Sequence, residues 1–528
     1  MLMTPSSIER DLKSIIDGDV LCDETSRDAY STAACIYKIR PVAVVVPRTS
    51  EDVQKVMEYA YDHQVPVIPR GGASGLAGQA VGFGIILDSA KYLNKIIEVN
   101  PGEGWVQVEP GVLLDDLNRS LSGLGKLFPP DPASSSQCVI GGMIGTNAAG
   151  VHGLKYGATK NCVLSLTVVL SDGEVMEISA APGAQGESRH PQSRQGDLRF
   201  DGTLEKLLLD KRELIVSRYP KVKKNSSGYN LLDAVEPDRI NLIKLLVGSE
   251  GTLGIVVGAK LKIADVPKAR ASGLAYFRNH EVTTEAVLAS LQLNPVAVEL
   301  MDKTLLDLAR GRNAIVERFI EENAQAMLLF EFEGETAEEA QGRLEQLRQL
   351  LLDKLRLAFT FRVNPENLGS LWEMRKAATH ILEEMQTDTK KASFIEDVTV
   401  PIETFPEYTR KLASILRSHD ISYSIYGHAG VGNIHCEPFL DLRRPEHRAL
   451  LDVVAGEVFD LAISVGGTLS GEHGDGYVRT PFLERLYGRE VYSLFRSVKE
   501  VFDPKGILNP GKIVAPQGTS IAHDLKSD

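Results

Sequence analysis

Pro129-Pro-Asp-Pro-Ala-Ser-Ser-Ser-Gln-Cys-Val-Ile-Gly-Gly-Met-Ile-Gly-Thr-Asn-Ala-Ala-Gly150, followed closely by Lys155-Tyr-Gly157, is the stretch on which the reading of this chain turns. So long a run of small and polar residues inside a compact domain is uncommon unless it binds something. Small side chains let the backbone lie flat against a planar ring or a phosphate. The pattern predicts one long loop from Pro129 to Gly157. Before it come a strand at Trp105–Val108 and a helix at Leu113–Leu121. After it come a strand at Val163–Leu170 and a hairpin turn at Ser171-Asp-Gly173.

Further upstream, Val42–Val46 is a continuous β-branched run, as in a buried strand. Thr49-Ser50-Glu51-Asp52 predicts a helix start with Ser50 as its cap. A strand at Val65–Ile68 breaks at Pro69-Arg-Gly-Gly-Ala-Ser-Gly-Leu-Ala-Gly78, and Gly84–Asp88 is the next strand. Such a loop exposes backbone N–H groups that can cradle a pyrophosphate. It lacks the Gly-Lys-Ser/Thr of a phosphate-loop NTPase and is not a Gly-x-Gly-x-x-Gly opening a helix. A third glycine-rich segment, Gly248-Ser-Glu-Gly-Thr-Leu-Gly-Ile255, lies within Leu242–Val257, which is read as strand. Residues 180–202 are polar and read as a disordered surface insertion. Beyond Pro267 the pattern becomes helix 281–291, strand 326–333, helix 337–357 and strand 359–363. A domain boundary is therefore expected at about 266.

The 528 residues suggest about three domains. With 71 acidic and 58 basic residues, the net charge of -13 argues against nucleic acid as a partner. Five widely spaced cysteines, Cys22, Cys35, Cys138, Cys162 and Cys436, argue against a disulfide framework and exclude the clustered thiolates of an ordinary iron–sulfur centre. MLMTPSSIERDL has neither a basic nor an apolar leader region, and no apolar run reaches membrane-spanning length. A cytoplasmic protein is the expectation, with peripheral membrane contact left open.

Two late stretches carry the densest chemistry, Tyr426-Gly-His-Ala-Gly-Val-Gly-Asn-Ile-His435 and Ser470-Gly-Glu-His-Gly-Asp-Gly476. The chain has only 11 histidines, and three of them lie here. His428, His435 and Glu472 form a ligand set suited to zinc, manganese or iron. His473 is left over as a base. A metal hydrolase would use such a set to activate water, but it leaves the upstream glycine-rich loops unexplained.

The ordered motifs resemble the FAD-linked oxidases of the vanillyl-alcohol-oxidase type. They are Arg70-Gly-Gly, Ile140-Gly-Gly-Met-Ile-Gly-Thr-Asn-Ala-Ala-Gly150 with Tyr156-Gly157, and Gly248-Ser-Glu-Gly-Thr-Leu-Gly254. The histidine motifs and Asp503-Pro…Leu508-Asn-Pro-Gly-Lys512 narrow the resemblance to a branch of three enzymes. They are the flavin-carrying D chain of glycolate oxidase, D-lactate dehydrogenase and D-2-hydroxyglutarate dehydrogenase. Phe394-Ile-Glu-Asp-Val-Thr-Val-Pro401 and Arg479-Thr-Pro-Phe482 are similar to the flavin half of larger flavin/iron–sulfur fusions. The resemblance covers residues 35–514.

It implies an α+β protein. Residues 1–40 would be a helical lead-in and 41–265 a two-subdomain FAD-binding domain. Residues 266–480 would be an α+β cap with an antiparallel sheet, and 481–528 a segment returning to the flavin. FAD is expected against Arg70, Gly71, Gly72, Ala73, Ser74, Gly75 and Gln79 of the first loop. In the second loop it would meet Pro130, Asp131, Gly141, Gly142, Thr146, Asn147, Gly150 and Tyr156. Glu250, Gly254, Ile255 and Asn509 complete the set. Some relatives bond flavin to a histidine after Arg-Gly-Gly. Ala73 stands there in this chain, so noncovalent FAD is expected, with His152 as an unattached histidine in the flavin pocket. Val431 stands where many relatives have aspartate, a departure that leaves the ligands in place.

By the same resemblance, Arg375 forks onto a substrate carboxylate, as a guanidinium does well. Thr379, one turn on, contacts the same substrate. Lys390 and Lys391 read as surface charge, and Cys436 as a buried residue pointing away from the metal. The expected reaction is oxidation of a small anionic D-2-hydroxy acid, D-lactate first, with D-2-hydroxyglutarate or glycolate as alternatives. Electrons would leave to a separate iron–sulfur protein, electron-transfer flavoprotein or quinone. A non-catalytic flavin chain of a glycolate-oxidase-like complex is the reading from another class, and a homodimer is left open.

Overall fold

Val44, Val45 and Val46 have the β-branched side chains that suit a pleated, enclosed strand, and Ala43–Val46 is buried along its whole length. Asp19–Leu21 pairs with it antiparallel and Ile85–Asp88 parallel, and Val67–Arg70 adds a further parallel neighbour. Parallel pairing needs a crossover. The helix Ser50–His63 supplies it and buries Val53, Val56, Met57 and Ala60. Its cap is Thr49 rather than Ser50: Thr49 Oγ1 accepts the Asp52 N–H at 3.2 Å, and Ser50 is already helical. The computed structural model describes residues 4–526 apart from 180–201, 279, 311–316, 356–358, 364–367 and 384–388.

The next sheet is antiparallel, in the order Ile96–Asn100, Trp105–Val108, Ile255–Lys262, Val163–Val169, Val175–Ser179. Gly173, at φ +89°, makes the turn between its last two strands. Two expectations give way here. The stretch from Pro129 to Gly157 is not all loop, because Ile140–Thr146 and Gly153–Tyr156 are helical. Three glycines disfavour the first of these helices, but burial of Ile140, Met143 and Ile144 outweighs them. Leu242–Leu246 is also helix, and strand begins only at Ile255. A short apolar run does not by itself separate the two states. The insertion expected at 180–202 lies, apart from Gly202, outside the described residues.

Downstream is an antiparallel sheet of eight strands among the described residues. Its centre runs Ala269–Phe277, Ala326–Gly334, Ala297–Asp302, Tyr423–Gly427, Asn433–Leu440. The helices Ala337–Leu355 and Leu368–Glu383 pack beside it. After the helix Leu483–Phe502 the chain turns back to the first sheet: the Val67 N–H donates to Ile507 O and the Asn509 N–H to Val67 O, both at 2.8 Å. The architecture is α+β, and one apolar core runs through both halves. Among the described residues no helix is long and apolar enough to cross a membrane.

Candidate active site

Glycine at 71 and 72 is required by a close approach. A Cβ on Gly71 would lie 2.4 Å from Val139 Cγ2, and one on Gly72 would lie 1.9 Å from Gln137 O. The first glycine-rich loop therefore rests directly on the second. Ala73 is held at φ +54°, a strained region for a residue with a Cβ. Among the described residues, none of the N–H groups of 72–75 finds a protein acceptor. Gln79 Nε2 donates to His473 O at 2.6 Å and to Glu250 Oε1 at 3.3 Å, leaving Gln79 Oε1 buried without a partner. Orphaned donors beside an orphaned acceptor fit a large polar cofactor such as FAD.

Arg70 through Gly75, Gln79, Gly141, Gly142, Thr146, Gly150, Glu250, Gly254 and Ile255 all line one cavity. Arg70 also braces its loop, donating to Tyr30 O, Thr32 O and Ala80 O. Pro130, Asp131, Asn147, Tyr156 and Asn509 do not line the cavity but support it. Pro130 is buried beside the second loop. Asn147 donates to Ser226 Oγ, and Tyr156 reaches Glu333 at 3.4 Å. Asn509 donates to Gln79 O and Glu250 O. His152 is not a pocket histidine. It is clamped between Asp131 at 2.5 Å and Glu331 at 2.9 Å, tying the second loop to the cap sheet. Burial alone would lower its imidazole, but the two carboxylates outweigh that and push it up to about 10.

The same cavity reaches Arg375, Tyr426, His428, His435, Glu472 and His473. His428 follows the strand Tyr423–Gly427 and His435 lies on Asn433–Leu440, so a hairpin brings them together. Glu472 Oε1 is 2.7 Å from His428 Nε2 and 3.4 Å from His435 Nε2. Two lone-pair nitrogens and a carboxylate oxygen converge on one point, and only a cation or protons can sit there. Ions with bonds of roughly 2.0–2.1 Å hold their donors about 3 Å apart, so the set fits a divalent metal. Glu472 Oε2 is already occupied by the Gly150 N–H at 2.6 Å and Lys224 Nζ at 2.8 Å. Only Oε1 is left to face an ion. Burial would raise the Glu472 carboxyl, but Lys224 and His428 hold it well below the usual range.

Glu396, Asp397, His435 and His473 form a second convergent group. Protein donors already engage every oxygen of its carboxylates. Glu396 takes Arg479 Nη2 and His473 Nδ1, each at 2.6 Å. Asp397 takes Ser470 Oγ, the N–H groups of Glu472 and His473, and Asn433 Nδ2. These bonds orient the Glu472 and His473 backbone and the His473 ring. His473 Nε2 has no protein partner among the described residues, and the ring stacks on His435 with centroids 5.0 Å apart. Burial would lower the His473 ring, but Glu396 and Asp397 push it up to about 10.

Arg375 lies on Leu368–Glu383, buried, with Nε 3.1 Å from Glu299 Oε2 and its guanidinium over the Tyr426 ring. The Thr379 side chain lies outside the described residues. Lys391, read from sequence as surface charge, lines the cavity, whereas Lys390 is exposed. Cys436 is buried and does not line the cavity. Sequence reasoning missed Lys224, Glu299, Glu396 and Asp397. The last two stood in the quoted Phe394–Pro401 segment, so a signal for them was present.

Residues 41–179 match a family model described as an FAD binding domain, and 266–513 match the C-terminal domain of FAD linked oxidases. D-2-hydroxyglutarate dehydrogenase of Escherichia coli (strain K12) is 32% identical over 95% of this chain. The chain spans only 51% of that protein's length. D-lactate dehydrogenase of Anaerostipes hadrus is 31% identical over 97% of this chain and 98% of its own. Among solved structures, 4-ethylphenol oxidase from Gulosibacter chungangensis shares the fold with a TM-score of 0.69. It is 16% identical, with 97% of each chain covered. With both halves of the fold matched and a relative aligned almost end to end, this chain belongs to the FAD-linked oxidases.

Proposed function

We propose that the chain oxidises a small D-2-hydroxy acid, D-lactate first, to its 2-oxo acid. FAD is held noncovalently and a zinc, manganese or iron ion by His428, His435 and Glu472. Electrons leave to a separate acceptor, an iron–sulfur protein, an electron-transfer flavoprotein or a quinone. The observation that carries this reading is the single cavity lined both by the glycine-rich loops and by the histidine, glutamate and arginine cluster. When bound, FAD supplies a two-electron acceptor and the ion a Lewis acid for the hydroxyl. Arg375 grips the carboxylate through its Nη groups, which have no partner among the described residues. His473 takes the hydroxyl proton at Nε2 while Glu396 fixes the ring through Nδ1. An ion held by the neighbouring ligand set would supply positive charge that opposes protonation of His473 and leaves Nε2 free to accept a proton.

D-lactate is preferred because the Anaerostipes hadrus enzyme is matched along nearly its whole length. Lys391 favours a second reading, a dicarboxylate such as D-2-hydroxyglutarate, because it adds a second cation to the Arg375 cavity. The test is anaerobic bleaching of the visible flavin band by a panel of D-2-hydroxy acids. D-lactate should bleach it, and EDTA treatment should abolish bleaching while FAD stays bound. Bleaching by the dicarboxylate alone, lost in Lys391→Met, would select the second reading. No bleaching by any 2-hydroxy acid would overturn both.

A further inference from the structure

Glu299 lies in the apolar strand Ala297–Asp302 and is fully buried. A carboxylate there must be matched by charge and hydrogen bonds. Its two oxygens serve different partners. Oε1 accepts His428 Nδ1 at 2.7 Å, and Oε2 accepts Arg375 Nε at 3.1 Å. Burial would raise this carboxyl, but His428 and Arg375 hold it below its usual range. A histidine whose Nδ1 proton is fixed by a carboxylate turns its Nε2 lone pair outward, towards a metal. Arg375, held by Nε and lying over the Tyr426 ring with 5.0 Å between guanidinium and centroid, keeps both Nη groups for a planar anion.

We propose that Glu299 is a positioning residue that joins the metal site to the carboxylate grip and fixes the distance between them. His428 comes from a hairpin and Arg375 from a helix, and this one carboxylate plane bonds to both.

This inference rests on reading the site as a metal beside a carboxylate-binding arginine, and two probes separate the two claims. Cobalt(II) uptake is followed by visible absorption in FAD-loaded protein stripped with EDTA. Pyruvate binding to the same metal-free protein is followed by its perturbation of the flavin band. Glu299→Gln should weaken cobalt by about 10–100-fold and pyruvate by about tenfold or more, with FAD content unchanged. Loss of one affinity alone, or of neither, overturns the joint role. A wild-type protein that fails with either probe overturns the underlying reading instead. Should Glu299→Gln not retain FAD, Glu299→Asp keeps the charge with a shorter reach. It should show the same paired loss at smaller size, and unchanged affinities in that variant also overturn the proposal.

Discussion

His428 and His473 are held in the same way and put to different uses. Each presents Nδ1 to a fully buried glutamate, Glu299 in one case and Glu396 in the other, and each glutamate takes an arginine on its second oxygen. The arginines differ. Arg375 lines the cavity and, among the described residues, is hydrogen-bonded only through Nε. Arg479 is fully buried, and its Nη groups bond to Gly474 O, Glu396 O and Glu396 Oε1. One relay ends in a group that can receive a ligand and the other in a structural anchor. The difference shows that an Arg–Glu–His chain does not reveal its role by its members; what matters is whether the far end reaches open space.

That contrast can be broken most directly at the histidines. His473→Ala should keep FAD and metal yet slow flavin bleaching by about 10²–10⁴-fold. Native-rate bleaching, followed by stopped flow, would remove His473 from the role of base. The arginines test the ends of the two relays. Arg479→Met leaves Glu396 buried without one of its two counter-charges, so a stability loss of about 3–5 kcal/mol is expected from chemical denaturation. Arg375→Met also bares a buried glutamate but gives up one hydrogen bond where Arg479 gives up three, so it should cost less stability and should lose substrate affinity. Equal destabilisation by both would erase the distinction.

The smallest effect concerns His152, a third histidine between two carboxylates. Its folded pKa, about 10, lies above the ordinary 6.5. The stability it adds is therefore complete below pH 6.5 and is lost as pH rises through about 10. Its size should be on the order of 1–3 kcal/mol, discounted for the shared network. The melting temperature should fall between about pH 7 and 10, and His152→Gln should start lower and fall less. Parallel curves for both proteins would deny His152 this role.

The three glycine-rich loops were legible because close packing demands glycine wherever backbone meets backbone, as at Gly72 against Gln137. The helix Ile140–Thr146 was not, since its stability comes from tertiary burial rather than from its own residues. In the site, His428, His435, Glu472 and His473 stood out by their glycine-rich settings. Glu299 gave no such signal. It is one acid in an apolar strand, and its partners lie 76 and 129 positions away in sequence. Lys224 stands in Lys221-Val-Lys-Lys224 with no motif to mark it, yet it is buried against Glu472. Lys391 was read as surface charge, yet it lines the cavity. Charge in a sequence does not say which side of the surface it will occupy.

The hydrogen bonds from Val67 to Ile507 and from Asn509 to Val67 impose an order on biosynthesis. Val67 leaves the ribosome early, but its strand stays open on one edge until residue 509 has been made. A nascent chain can build most of the cradle and still lack the segment that closes it. A ribosome stalled before that point would carry a nearly complete polypeptide whose first sheet still lacks this edge partner.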